Sequence, residues 1–202
     1  MDKTLQIVFD FSCPYCYITW NYIKRLKQEL SFDDQWLGWN IHPEVDPAGA
    51  DIATLVPNFD RESRSAKLNK LGAAVGVSPG GTTFIPDTRP ALEALEFAAS
   101  RGLAGPWCDA VFMANFEHHQ DIGDKKVLLD IAGRLKLPAA ELTAAWDAGE
   151  YAPVLAEHDR RFTSLQLEWV PTVFCDGRKV IEGAFGFDEA ALAIRNALKK
   201  PD

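Results

Sequence analysis

Cys13-Pro14-Tyr15-Cys16 sets two thiols three residues apart. On a helix that spacing leaves the two Cα atoms about 5 Å apart, within the range a disulfide accepts. Such a pair can cycle between dithiol and disulfide and so carry electrons without a prosthetic group. The two positions are not equivalent. Pro14 is favoured at a first helical position, which leaves Cys13 at the helix tip. There, unpaired backbone N–H groups and the positive end of the dipole favour a thiolate. Cys16 falls one turn inside, on the buried side. The expected roles follow: Cys13 attacks or is attacked, and Cys16 resolves the mixed disulfide. A zinc half-site is the rival chemistry, but zinc takes four ligands. The chain has no second C-x-x-C, Cys108 and Cys175 stand alone, and His118 and His119 are adjacent rather than one turn apart. An inert buried pair is the plain alternative. The motif in its strand-to-helix setting favours redox chemistry without a metal.

Other residues carry weaker signals. Asp10, three before Cys13, closes a strand-like run. It either takes or relays a proton from Cys16, or it is a loop carboxylate that shapes the turn. Tyr15 belongs to the dipeptide that tunes Cys13 and is placed at the lip of the substrate site. His42 follows the second strand-like run and falls at the active-site edge if the two strands are parallel, though a lone histidine there is more often structural. Cys108, beside Trp107 in a helical pattern, and Cys175, inside a strand pattern, read as buried apolar residues.

The elements that must position these groups fall into three stretches. Leu5–Phe11 is a short apolar run typical of a buried strand. A helix is predicted from Pro14 to about Leu30, with Cys16, Thr19, Ile23, Leu26 and Leu30 on one face. Gln35–His42 reads as a second strand, stopped by Pro43. Helical patterns then dominate: Asn58–Val75, Arg89–Arg101, Pro106–His119, Lys125–Leu137, Ala139–Ala148 and Tyr151–Leu167. Their breaks are marked by Gly and Pro clusters. Pro171–Cys175 and Arg178–Glu182 are strands joined by Asp176-Gly177, a strong hairpin signal. Asp188–Lys200 reads as a last helix capped by Asp188. The expectation is an α/β unit, residues 1–45 plus 168–202, with residues 46–167 inserted as a helical subdomain.

Bulk properties bound the function. With 202 residues, 47% hydrophobic and 25% charged, the chain has the composition of a soluble globular protein. A formal net charge of −8 argues against nucleic acid or an anionic membrane as a general partner. No run reaches the 18 or so apolar residues of a membrane span. Met1-Asp2-Lys3 leads straight into the first strand without a secretory signal, so a cytoplasmic location is expected. Structural disulfides are rare in that compartment.

Phe9-Asp10-Phe11-Ser12-Cys13-Pro14-Tyr15-Cys16-Tyr17-Ile18 resembles the active-site entry of the DsbA-like thioredoxin superfamily. Trp169-Val170-Pro171-Thr172-Val173-Phe174 resembles its cis-proline loop. Arg89–Ala98 and the stretch from Asp121-Ile122 onward are similar to the FrnE-type cytosolic subgroup. The resemblance covers nearly the whole chain and implies a thioredoxin-like α/β fold with a large all-helical insertion between the second strand and the cis-proline strand. It implies a cis Val170–Pro171 bond facing the Cys13–Cys16 pair, and backbone there free to pair with an extended substrate. Val170, Pro171 and Thr172 are thereby substrate-binding candidates. Trp169 either joins them or is a core tryptophan.

The implied activity is thiol–disulfide exchange on a protein or small-molecule disulfide, with no bound cofactor. Pro-Tyr between the cysteines resembles glutaredoxins, and Val-Pro-Thr before a strand would suit glutathione's backbone. A cytoplasmic reductase or isomerase drawing on glutathione is therefore expected, rather than an exported oxidant. Two other readings stand. One is a glutathione-dependent isomerase or transferase of the 2-hydroxychromene-2-carboxylate isomerase or kappa type, in which a serine replaces the first thiol. The other is a chaperone-like or partner-binding module with secondary thiols. A homodimer is compatible with each.

Overall fold

The computed structural model describes residues 3–56 and 58–199. Its strands are β1 (Thr4–Phe9), β2 (Asp33–Gly38), β3 (Ala50–Asp51), β4 (Phe84–Ile85), β5 (Thr172–Cys175) and β6 (Arg178–Glu182). Its helices are α1 (Pro14–Leu26), α2 (Ile52–Leu55), α3 (Arg61–Gly72), α4 (Arg89–Ala99), α5 (Ala104–Phe116), α6 (Lys125–Arg134), α7 (Ala139–Ala148), α8 (Ala152–Ser164) and α9 (Phe187–Leu198). β1, β2, β5 and β6 form one sheet in the order β2-β1-β5-β6, while β3 and β4 pair separately. β1 runs parallel to β2, with Ile7 opposite Trp36, and antiparallel to β5, with Ile7 opposite Val173. A parallel pair needs a crossover, and α1 supplies it. The fold is thus the expected α/β arrangement: β-α-β, a long helical segment, then β-β-α.

Leu5, Ile7, Val8 and Phe9 are all fully buried, so the central strand is covered on both faces. α5 closes one side. Its Phe112 ring lies 5.0 Å from Phe11 and 5.7 Å from Phe9, centroid to centroid. Phe116 stacks on Tyr17 of α1 at 5.3 Å. The inserted helices and the sheet therefore share one hydrophobic core. α1 is buried on more than one face: Cys16, Ile23 and Leu26 join that core, whereas Ile18 and Tyr22 pack with Leu68 of α3 and with Phe185.

Several boundaries differ from the sequence reading, each for a local reason. β1 stops at Phe9 rather than Phe11 because the Asp10 carboxylate gathers the N–H groups of Ser12 (2.7 Å) and Ile41 (2.9 Å). β2 stops at Gly38 rather than His42; a Cβ at Gly38 would meet Leu92 Cδ2 of α4 at 2.7 Å, so the strand end is pressed against the insertion. α1 ends at Leu26, and Lys27 to Leu30 form turns leading back to β2. α3 begins after Asp60, whose side chain accepts from Ser63 N at 3.1 Å, and Asn58 has a φ of 55° that no right-handed helix admits. Residues 73–75 tighten into a 3₁₀ turn. Asp188 lies in the first turn of α9 and does not cap it; Gly186 holds that position without a side-chain bond. Lys200, the predicted end of that helix, lies outside the described residues. The β3–β4 pair and α2 had no signature in the pattern.

Candidate active site

Cys13 is the N-cap of α1, with φ −85° and ψ 113°, and Pro14 opens the helix. Its N–H donates to Asp10 O (3.2 Å), and its sulfur accepts from Cys16 N (3.3 Å). The same thiol donates to Val170 O at 3.7 Å, across from the loop that precedes β5. The Val170–Pro171 peptide is cis. Pro171 O accepts from Gly183 N (2.9 Å), and Thr172 Oγ1 donates to Trp169 O (2.6 Å), which fixes the loop. Two segments more than 150 residues apart in the sequence thus meet at one sulfur.

Both thiols are unbridged, and burial separates them. Cys13 keeps 5% of its surface at the cleft edge, whereas Cys16 has none. Burial pushes the Cys16 thiol well above its ordinary range, and the hydrogen bond and charge of Cys13 push it further. Asp10 lies behind the pair, fully buried. Besides the two backbone N–H groups, it accepts from Thr88 Oγ1 (3.1 Å). Burial raises its pKa and outweighs those hydrogen bonds, which act in the lowering direction. Its charge acts on Cys16. Asp10 therefore shapes the loop between β1 and α1, and its carboxyl lies close enough to act electrostatically on the inner thiol.

A cleft of about 600 Å³ opens beside Cys13. Pro14, Tyr15, Trp169 and Val170 line it with Cys13, as does His42. Trp169 is 64% exposed and forms part of the rim; the core reading does not hold. Pro171 and Thr172 are buried behind the loop, and Cys16 and Asp10 lie behind α1's tip. Cys108 and Cys175 are buried in α5 and β5 and do not line the cleft.

The sequence reading missed Thr88, which reaches Asp10 from the start of α4, and Asn115, whose Nδ2 donates to Phe11 O (2.9 Å). It also missed Arg64 of α3 and Trp39, both lining the cleft. Only Trp39, just past a strand end, carried any local hint. Among the described residues, no group of three or more His, Cys, Asp or Glu is placed to hold a metal ion. Nor is any helix there long and apolar enough to cross a membrane.

The profile of the DSBA-like thioredoxin domain matches residues 4–195, and the chain belongs to that family. The uncharacterized protein YwbO of Bacillus subtilis (strain 168) is 25% identical over 205 residues, covering 99% of this chain and 100% of the relative. A probable DsbA oxidoreductase of Streptomyces coelicolor superposes with a TM-score of 0.82 at 20% identity, over 99% of this chain and 92% of that one. The cytosolic disulfide reductase DsbM of Pseudomonas aeruginosa, solved with GSH, gives a TM-score of 0.67 at 18% identity over 87% of each chain. A 2-hydroxychromene-2-carboxylate isomerase gives 0.71 at 13% identity, over 96% and 93%. At these identities the structural likeness shows the fold.

Proposed function

We propose that the chain is a thiol–disulfide oxidoreductase that reduces or isomerises disulfides in the cytoplasm, with glutathione as supporting thiol. The observation that carries this reading is the Cys13 sulfur at the tip of α1, opening on a cleft, with Cys16 buried one turn behind it. Family membership and the fold shared with a cytosolic disulfide reductase support it.

The Cys13 thiolate attacks one sulfur of the substrate disulfide. That S–S bond breaks, the distal half leaves as a thiolate and takes a proton, and a mixed disulfide remains at Cys13. Cys16 then gives up its proton and attacks the Cys13 sulfur; the bond from Cys13 to the substrate sulfur breaks, and the second half leaves as a thiolate that takes a proton from water. The substrate gains two electrons and the cysteine pair loses two; two molecules of glutathione return them and leave as glutathione disulfide. Asp10 receives the Cys16 proton, since its charge reaches that thiol and burial raises its own proton affinity. Pro14 and Tyr15 frame the attack, and the Trp169–Thr172 loop holds the substrate beside it. The two thiols carry the electrons, so no prosthetic group is needed.

Quenched mass spectrometry of pre-reduced protein mixed with glutathione disulfide tests the scheme. Cys13→Ser is expected to abolish exchange, and Cys16→Ser to accumulate a mixed disulfide at Cys13. Full activity in Cys13→Ser would overturn it. The apolar cleft and the fold shared with the chromene isomerase favour a second reading, a glutathione-dependent isomerase acting on an organic molecule in that cleft. That activity would persist in Cys16→Ser.

A further inference from the structure

The cleft holds a charge that disulfide exchange as described does not use. Arg64 reaches it from α3, on the inserted segment, and is half-buried. Its Nη1 donates to Thr82 O at 3.4 Å, and its guanidinium lies 5.7 Å from the centre of the Phe59 ring. Among the described residues no carboxylate pairs with it; Tyr15 and Cys13 line the same cleft, and burial opposes its charge. The other titratable side chains of the lining with acid or imidazole groups are His42, Asp159 and Glu168. His42 Nδ1 sits 3.3 Å from Glu44, and Asp159 accepts from Trp39 Nε1 at 3.1 Å. Ile52 and Ile85, both buried, make that part of the wall apolar.

A guanidinium drawn partly out of water without a carboxylate is costly until an anion meets it. Its planar fork matches a carboxylate better than any other common anionic group except phosphate. When Cys13 enters a mixed disulfide its sulfur carries no charge and offers Arg64 no counter-charge. An anion on the substrate supplies one.

We propose that Arg64 is a specificity-determining residue that selects, among disulfides reaching Cys13, those bearing a carboxylate close to the sulfur. This rests on the reading of Cys13 as the exchanging thiol. Selection acts on the first step: Cys13 attacks the sulfur nearer the carboxylate, the S–S bond breaks, and the distal half leaves as a thiolate. The carboxylate-bearing half stays on Cys13 against Arg64.

Three small aliphatic disulfides test this by single turnover of pre-reduced protein: 3,3′-dithiodipropionate (anionic), bis(2-hydroxyethyl) disulfide (neutral) and cystamine (cationic). Each rate is divided by that of the same disulfide with free dithiothreitol, which removes intrinsic reactivity. The normalised anionic-to-neutral ratio is expected to exceed unity in the wild type and to fall about tenfold in Arg64→Gln, as for loss of a charge-assisted hydrogen bond. Arg64→Lys should retain part of the preference. Being taken within one protein, the ratio does not depend on the folded fraction. In the wild type alone, raising salt from about 0.05 to 0.5 M should lower it about threefold. A wild type without the preference, or a ratio unchanged in Arg64→Gln whatever happens to the separate rates, overturns the inference. Failure of the wild type to react even with the neutral disulfide overturns the exchange reading, and this one with it.

Discussion

Asp10 shows how much one side chain can be asked to do. Its two oxygens organise the turn between β1 and α1, hold Ile41 beyond the end of β2, and bind Thr88 of the inserted segment. All of this happens with no surface in contact with water. The folded chain therefore holds this proton to a higher pH than the unfolded chain does, and the sign of the pH effect follows. Above the ordinary aspartate value of 3.8 the unfolded chain has released this proton while the folded chain still holds it. The folded state binds more protons in that window, so stability falls as pH rises, until the folded carboxyl ionises as well. Urea unfolding across a pH series should show the wild type losing up to about 1.4 kcal/mol per pH unit relative to Asp10→Asn within that window. Parallel curves for the two proteins would remove the raised proton affinity from the account.

Each element at the site is set by a short signal at its own end. α1 starts where Pro14 allows and Cys13 caps; the β5–β6 hairpin turns on Asp176 and Gly177, both at positive φ (50° and 76°) as a type I′ turn requires. α3 depends on Asp60, which closes its first turn by accepting from Ser63 N. Asp60→Ala is expected to cost about 1 kcal/mol of stability, and Asp60→Asn much less. Chemical denaturation of both variants checks this, an equal loss in the two pointing to charge rather than capping. Because α3 carries Arg64, fraying of this helix would loosen the cleft wall before it touched the cysteines.

At the scale of the molecule, Phe112 ties the insertion to the sheet. Its fully buried ring contacts Phe9, Phe11, Tyr17, Trp20, Trp36 and Phe116, which come from β1 and the turn after it, from α1, from β2 and from α5 itself. Phe112→Ala is expected to cost about 3–5 kcal/mol, a large share of the 5–15 kcal/mol typical of a folded domain. Helix content followed by circular dichroism and tryptophan fluorescence should then move to lower denaturant together, since one core serves both halves. Two separated transitions would show that the insertion folds independently.

The cysteine pair, the turn into α1, the hairpin and the order of the main-sheet strands and longer helices are legible in the residues alone, because each is written in neighbouring residues. A proline at a helix start, an Asp-Gly between two apolar runs and a strand pattern leading into C-x-x-C are local statements about φ, ψ and burial. Boundaries blurred where a distant group intervened, as when Asp10 pulled Ile41 out of the second strand. Packing in three dimensions makes Trp169 a rim residue, sets Thr88 and Asn115 against the active turn, and brings Arg64 into the cleft. Those contacts join residues tens of positions apart, and a helix pattern around residue 64 says which face is polar, not what that face will meet. Periodicity records how an element buries itself; the partner it finds is settled when the helices close over the sheet.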